Sequence, residues 1–202
     1  MEKGFAFVDE RVPGIRWDAK YATWDNFTGK PVDGYGVNRI VGAVELCEAL
    51  ARCREKAARR GFGLLIWDGY RPQRAVDSFL RWSALPEDGR TKSRHYPRLA
   101  RSEMVAKGYV AEKSSHSRGG AVDLTLFSLE TGALLPMGGW FDLMDPRSHH
   151  GAEGLSKAED ENRKVLRDLM EEGGFDAYPW EWWHYTLREE PYPDTYFDFP
   201  VA

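Results

Sequence analysis

At 202 residues, 42% hydrophobic and 30% charged, the chain is long enough for one well-cored domain, short for two, and free of low-complexity tracts. A formal charge of −4 with no long basic run excludes the footprint of a nucleic-acid binder. No stretch approaches the ~18 apolar residues that span a bilayer, and Met1 to Asp9 holds too short an apolar run for a signal peptide.

Residues 5–37 hold aromatics, Gly and Pro in short runs, which read as short strands and turns. Asn38 is placed to cap a long helix from Arg39 to about Arg60, with Ile40, Val44, Cys47 and Ala51 on one stripe and Gly61 as its stop. The basic residues between Arg52 and Arg60 alternate with Glu55 and alanines and form a solvated face of this helix. Its Cys47 and Cys53 are the chain's only cysteines. Nearly two turns separate them, roughly 9 Å along the axis, too far for a disulfide. They read as buried free thiols of a reducing compartment, so the cytoplasm is the expected location.

Gly63-Leu64-Leu65-Ile66-Trp67 has the length and continuity of a central buried strand, and it breaks at Asp68-Gly69-Tyr70-Arg71-Pro72. Pro72 suits the first turn of a helix carrying Ala75, Val76, Phe79 and Leu80. Residues 84–107 are polar and proline-punctuated, with a short helix near Ser102-Glu103-Met104; a pocket lid and a plain surface loop are both open readings. Ala121 to Phe127 alternates as a strand, and Ser156-Lys157-Ala158-Glu159 is a capping box opening a helix that ends at Gly173-Gly174. From Phe175 to Leu187 the chain is aromatic and extended. Helices and strands do not alternate regularly, which predicts an α+β fold in one domain over residues 1–202.

The chemistry lies in two short stretches. Ser114-Ser115-His116-Ser117-Arg118-Gly119-Gly120-Ala121-Val122-Asp123 is followed about sixty residues later by Glu181-Trp182-Trp183-His184. Two imidazoles and a carboxylate, His116, Asp123 and His184, make a complete protein ligand set for a catalytic Zn²⁺ that keeps one position open. Asp123 is a lone carboxylate in an apolar strand, where a charge needs a partner such as a metal or an arginine. Gly119-Gly120 lets the chain turn and bring His116 back towards it. Glu181 is placed to act as general base. In a regular strand, however, positions three apart face opposite ways, so a bend or bulge must lie between Glu181 and His184, or Glu181 must precede the strand. His149-His150, adjacent in a loop, are poor candidates for any role and suit structural hydrogen bonds better than one ion, and His95 is expected to be solvated.

The pattern Ser114-x-His116-x-x-Gly119-x-Ala121-x-Asp123 with Glu181-x-x-His184 resembles the zinc D,D-peptidases related to the hedgehog signalling domain. The runs Trp17 to Gly29, Trp67-Asp68-Gly69-Tyr70-Arg71-Pro72 and Tyr192 to Pro200 resemble the VanX-type D-alanyl-D-alanine dipeptidases, so the similarity extends from near residue 5 to the C-terminus. The resemblance implies an α+β fold with one zinc on a central antiparallel sheet. It also implies cytoplasmic hydrolysis of D-Ala-D-Ala, which removes the cell-wall precursor that vancomycin recognises and so gives glycopeptide resistance.

By sequence alone a structural salt bridge to Asp68 or another acid is the stronger claim on Arg71; the resemblance reverses this and implies that Arg71 stabilises the oxyanion. A free dipeptide is a zwitterion whose two ends need partners. Asp142 is the candidate for the ammonium, helped by Tyr21 and Tyr35, and Ser114 and Ser115 are candidate donors to the substrate backbone or carboxylate. Two rival readings are a wall-directed peptidoglycan D,D-carboxypeptidase or endopeptidase, and a hedgehog-like module whose zinc is not catalytic. No nucleic-acid or membrane partner is expected. The oligomeric state is not set by the sequence, and a homodimer stays open.

Overall fold

The computed structural model describes residues 1–202. In chain order the elements are β1 (Phe5–Phe7), α1 (Val8–Arg11), β2 (Arg16–Trp17), β3 (Val41–Ala43), α2 (Val44–Arg59), β4 (Phe62–Asp68), α3 (Gln73–Ser83), α4 (Lys92–His95), β5 (Ala121–Ser128), α5 (Lys157–Glu172), β6 (Phe175–Ala177) and β7 (His184–Leu187). The strands β2-β4-β5-β7-β6 form one sheet. Its pairings are antiparallel except for the edge pair β2–β4, which is parallel. β1 and β3 form a separate antiparallel ribbon. This is the α+β arrangement with a largely antiparallel central sheet that the sequence predicts.

The apolar run of β4 sits at the centre because both its faces are covered. Leu64 and Ile66 pair with Leu126 and Leu124 of β5, and all four are fully buried. α2 turns Leu46, Cys47, Leu50, Cys53 and Ala57 inwards and α5 turns Leu166, Leu169 and Met170 inwards. Cys53 Sγ lies 3.6 Å from the Leu169 carbonyl oxygen, which marks where the two helices meet. Both cysteines are free, and burial pushes each thiol up to about 12, so neither is a ready thiolate nucleophile.

The long helix differs from expectation at its start. The helix expected from Arg39 begins at Val44, because Val41–Ala43 pair with Phe5–Phe7 instead. β-branched Val41 followed by Gly42 is a poor helical start, and Val44 N–H finds the Gly4 carbonyl at 2.9 Å without a side-chain cap. Asn38 is therefore no cap: its side-chain oxygen accepts the Ala19 N–H at 2.8 Å. The other end behaves as read, with Gly61 at φ +82° just beyond the helix. The capping box at Ser156 and Glu159 is formed in both directions.

Two irregularities on the central strands decide what faces the functional cavity. The register between β4 and β5 shifts between Ile66 and Asp68, so that Asp68 rather than Trp67 lies opposite Asp123. Strict alternation would put Asp68 on the face of Ile66 and Leu124, away from Asp123; the bulge turns it to Asp123's side. On β7, His184 is the first strand residue and also pairs with Asp123. Paired residues in a ladder share a face, so Asp68, Asp123 and His184 converge.

Candidate active site

His116 arrives from a short 3₁₀ turn, Ser115–Arg118, that leads into β5. Ser114 caps it, its Oγ accepting the His116 N–H at 3.3 Å, and Gly119 closes it at φ +79°. A Cβ at Gly119 would stand 2.3 Å from the Phe5 ring, so a side chain is refused by both conformation and space. At Gly69 a Cβ would meet the Val41 carbonyl at 2.5 Å. That close passage leaves the Gly69 carbonyl 2.7 Å from His116 Nδ1.

Three sequence-predicted ligands meet here. His116 Nε2 and His184 Nδ1 are 3.0 Å apart, His184 Nδ1 is 3.0 Å from Asp123 Oδ1, and His116 Nε2 is 3.3 Å from Asp123 Oδ2. His116 and Asp123 are buried, each 2% exposed, so water does not compensate them. The outer ring nitrogens reveal the proton positions. A carbonyl only accepts, so His116 Nδ1 carries the proton and donates it to Gly69, leaving a lone pair on Nε2. His184 Nε2 faces the hydroxyls of Ser115 at 3.3 Å and Thr186 at 3.2 Å; with the proton on that side, accepted by either oxygen, the lone pair falls on Nδ1. Two lone pairs and a carboxylate then point at one another, an arrangement that calls for a cation.

Glu181 joins this group by a route other than a strand bulge. Glu181 N–H donates to the Tyr178 carbonyl at 3.3 Å, and His184 N–H donates to the Glu181 carbonyl at 3.2 Å. Two successive turns thus precede β7, and an i to i+3 turn stacks its ends on one side. Glu181 Oε2 lies 4.0 Å from His184 Nδ1. Burial, with repulsion from Asp123, raises its carboxyl to about 7 against the opposing pull of His184 and Arg71. A carboxylate poised near neutrality is suited to taking and returning a proton.

Arg71 makes the salt bridge to Asp68 and also stays beside the ligand group. Its Nε and Nη2 hold Asp68 Oδ2 at 3.0 and 2.9 Å, and Nη2 also stands 3.5 Å from Asp123. The salt bridge fixes the guanidinium at the cavity wall rather than withdrawing it. Asp68, 1% exposed, was not singled out as a site residue by sequence reasoning, yet it anchors Arg71, accepts the Tyr35 hydroxyl at 2.7 Å and lies 3.6 Å from His116 Nδ1. Its signal was an acid ending an apolar strand just before a Gly-Tyr-Arg break.

These groups line a cavity of about 370 Å³, bounded also by Tyr21, Phe79, Gly108 to Ala111, Lys113, Ser114, Ser115, Asp142, Tyr178 and Trp183. Asp142 is buried and holds the only positive φ of a non-glycine residue, +57°. Tyr21 donates its hydroxyl to Asp142 Oδ2 at 2.8 Å. Burial and the Asp123 charge hold the Asp142 carboxyl well above its ordinary range, since no cation of the chain pairs with it. Strain and a buried carboxyl without a counter-charge at one residue are a combination that functional sites keep.

Some expected residues stand elsewhere. Tyr35 is spent on Asp68 and does not line the cavity. Ser115 lines it, but its hydroxyl faces His184 Nε2. His95 is buried, not solvated: Nδ1 is 3.2 Å from the Asp142 carbonyl, and its own carbonyl accepts the Met144 N–H at 2.7 Å. Residues 84–107 therefore buttress the segment carrying Asp142, and none of them lines the cavity. His149 and His150 leave their buried Nε2 atoms without partners, so their rings are not the hydrogen-bonders expected.

Comparison with known proteins shows the family. The model of the peptidase family M15, described as D-ala-D-ala dipeptidase, matches residues 1–202. The chain is 65% identical over 201 residues to a D-alanyl-D-alanine dipeptidase of Enterococcus faecium and 67% identical over 202 residues to one of Streptomyces coelicolor. It is 60% identical over 202 residues to one of Enterococcus faecalis, and 100% of both chains is covered in each case.

Proposed function

The chain belongs to the M15 peptidase family, and from that premise we propose that it hydrolyses D-alanyl-D-alanine to two molecules of D-alanine, using one Zn²⁺ per chain. One observation carries this reading: the lone pairs of His116 and His184 and the Asp123 carboxylate converge beside Glu181 in a small cavity. Two imidazoles and one carboxylate are a donor set that zinc favours and calcium or magnesium does not. Ligand atoms about 3.4 Å apart, the edge of a tetrahedron with ~2.1 Å bonds, are close to the separations of 3.0 to 3.3 Å found here.

His116 Nε2, Asp123 and His184 Nδ1 would hold the ion, which when bound supplies a Lewis acid for the scissile carbonyl and eases deprotonation of water. Glu181 removes the proton from the attacking water as its oxygen bonds to the carbonyl carbon. It then delivers that proton to the departing nitrogen as the C–N bond breaks. The Arg71 guanidinium, held by Asp68, stabilises charge gathering on the carbonyl oxygen. Asp142, oriented by Tyr21, receives the substrate ammonium, and Ser114 at the turn before His116 is a donor to the peptide. A cavity at the small end of the ligand-pocket range suits a dipeptide better than a wall polymer.

In this reading residues 1–202 act as one domain in the cytoplasm. The continuous apolar core supports the first point and the two buried free thiols the second. No helix is long and apolar enough to cross a membrane. Removal of D-Ala-D-Ala would deplete the wall precursor that vancomycin recognises. The test is D-alanine release by the purified protein from D-Ala-D-Ala, set beside release from a wall peptide ending in the same two residues. Rapid cleavage of the dipeptide alone supports the proposal; cleavage of the longer peptide alone supports a wall carboxypeptidase; zinc without cleavage supports a non-catalytic module.

A further inference from the structure

The charged side chains lining the cavity are Arg71, Lys113, Asp123, Asp142 and Glu181. Three of them have partners within the protein. Arg71 is held by Asp68, Asp123 lies against His116 and His184, and Glu181 approaches His184 at 4.0 Å. Asp142 has the Tyr21 hydroxyl but no cation, and Lys113 has no carboxylate within ion-pair distance. That leaves a buried carboxyl group without a counter-charge and, at an exposed residue of the lining, an ammonium that no carboxylate of the chain holds. A ligand that neutralises both is a zwitterion with its charges at opposite ends.

We propose that Lys113 recognises the free C-terminal carboxylate of the dipeptide and is a specificity-determining residue of the site. The inference rests on the dipeptidase reading above and completes it at the end of the substrate that Asp142 does not serve. Lys113 immediately precedes Ser114, the cap of the turn that presents His116, so its backbone is tied to the metal-site framework. Its Nζ lies 4.7 Å from the centroid of the Tyr196 ring, and Tyr196 also accepts from Arg118 Nη1 at 3.3 Å. A cation resting on an aromatic face stays charged and available, and moves to a carboxylate without breaking an ion pair. Arg71 is a poorer carboxylate receptor because two of its nitrogens already hold Asp68.

The consequence is a chemical filter. Extension of the substrate at its C-terminus, or its conversion to an amide or ester, removes the charge Lys113 reads. Extension at the N-terminus removes the charge that Asp142 reads. Each loss leaves a charged side chain without its partner, which discriminates more strongly than a missing apolar contact.

The test compares the zinc-loaded wild type with Lys113→Met and Lys113→Arg on D-Ala-D-Ala and on its C-terminal amide, following D-alanine release. Lys113→Met is expected to raise KM for the dipeptide roughly tenfold, the equivalent of one charge-assisted hydrogen bond, while kcat falls much less. For the amide, kcat/KM of the same variant stays near the wild-type value. Lys113→Arg keeps most of the preference for the free acid. Equal losses on both substrates, or no change on either, in variants whose wild type cleaves D-Ala-D-Ala overturn the role of Lys113 alone. A wild type that cleaves neither compound overturns the dipeptidase reading and this inference together.

Discussion

Nδ1 of His184 and Nε2 of His116 face each other at 3.0 Å across 68 residues of chain, each ring with a hydrogen-bond partner on its far side. Gly69 sets the tautomer of one and the hydroxyls of Ser115 and Thr186 set that of the other. The pair is therefore organised for a cation by partners outside the ligand set, and changes in those partners weaken metal binding without deleting a ligand.

Glu181→Gln keeps the side chain's size and removes its basicity. The expected result is a fall in kcat of roughly 10²–10⁴-fold, the contribution typical of a general base, with zinc content unchanged by elemental analysis. Loss of zinc in this variant would recast Glu181 as a ligand.

Arg71→Ala removes the fixed cation of the cavity and leaves Asp68 buried at 1% exposure without its partner. We expect kcat to drop by about 10²–10³, as when an oxyanion donor is lost, with some loss of thermal stability. Asp68→Asn is expected to lower kcat as well, because the guanidinium is no longer held, while leaving KM for D-Ala-D-Ala nearly unchanged. A kcat for Asp68→Asn equal to wild type would show that Arg71 needs no anchor.

Asp142→Asn is expected to raise KM for D-Ala-D-Ala and to leave KM for the N-acetylated dipeptide, which lacks the ammonium, close to the wild-type value. Because Tyr21 donates to Asp142 Oδ2 at 2.8 Å, Tyr21→Phe should shift KM in the same direction by less. Steady-state kinetics on the two substrates decides it.

Burial pushes both His95 and His150 down to about 4. A histidine with a lowered native pKa binds its proton more readily in the unfolded chain. Stability therefore is fully present above about pH 6.5, the unfolded value, and declines as pH falls towards 4. Denaturant midpoints measured from pH 7.5 to 4.5 should show this slope. His150→Gln should flatten it, by at most about 1.4 kcal/mol per pH unit for one proton. An unchanged slope would mean that the ring is protonated at little cost in the native state.

Much of the site was legible in the sequence because its chemistry is concentrated in residue types that are out of place where they sit. Asp123 in an apolar strand, Gly119 after His116, and Glu181 three residues before His184 all demanded an explanation. The strand of Gly63 to Trp67 and the capped helix from Ser156 followed from local pattern. Contacts between distant segments were not legible. Val41–Ala43 became a strand because Phe5–Phe7 offered it a partner, and Asn38 was claimed by Ala19. Asp68 entered the site through a register shift whose cause lies in the pairing of β4 with β5. His95 reads as solvated from its polar neighbours, yet it is buried by the segment around Asp142.

The central claim is that His116, Asp123 and His184 hold the metal on which hydrolysis of D-Ala-D-Ala depends. Zinc content and D-alanine release measured on one preparation, before chelation, after it and after zinc is restored, test this most directly. The account predicts about one zinc per chain, loss of activity in proportion to metal removed, and recovery of both together. Hydrolysis that continues at the original rate after the zinc is gone would contradict it.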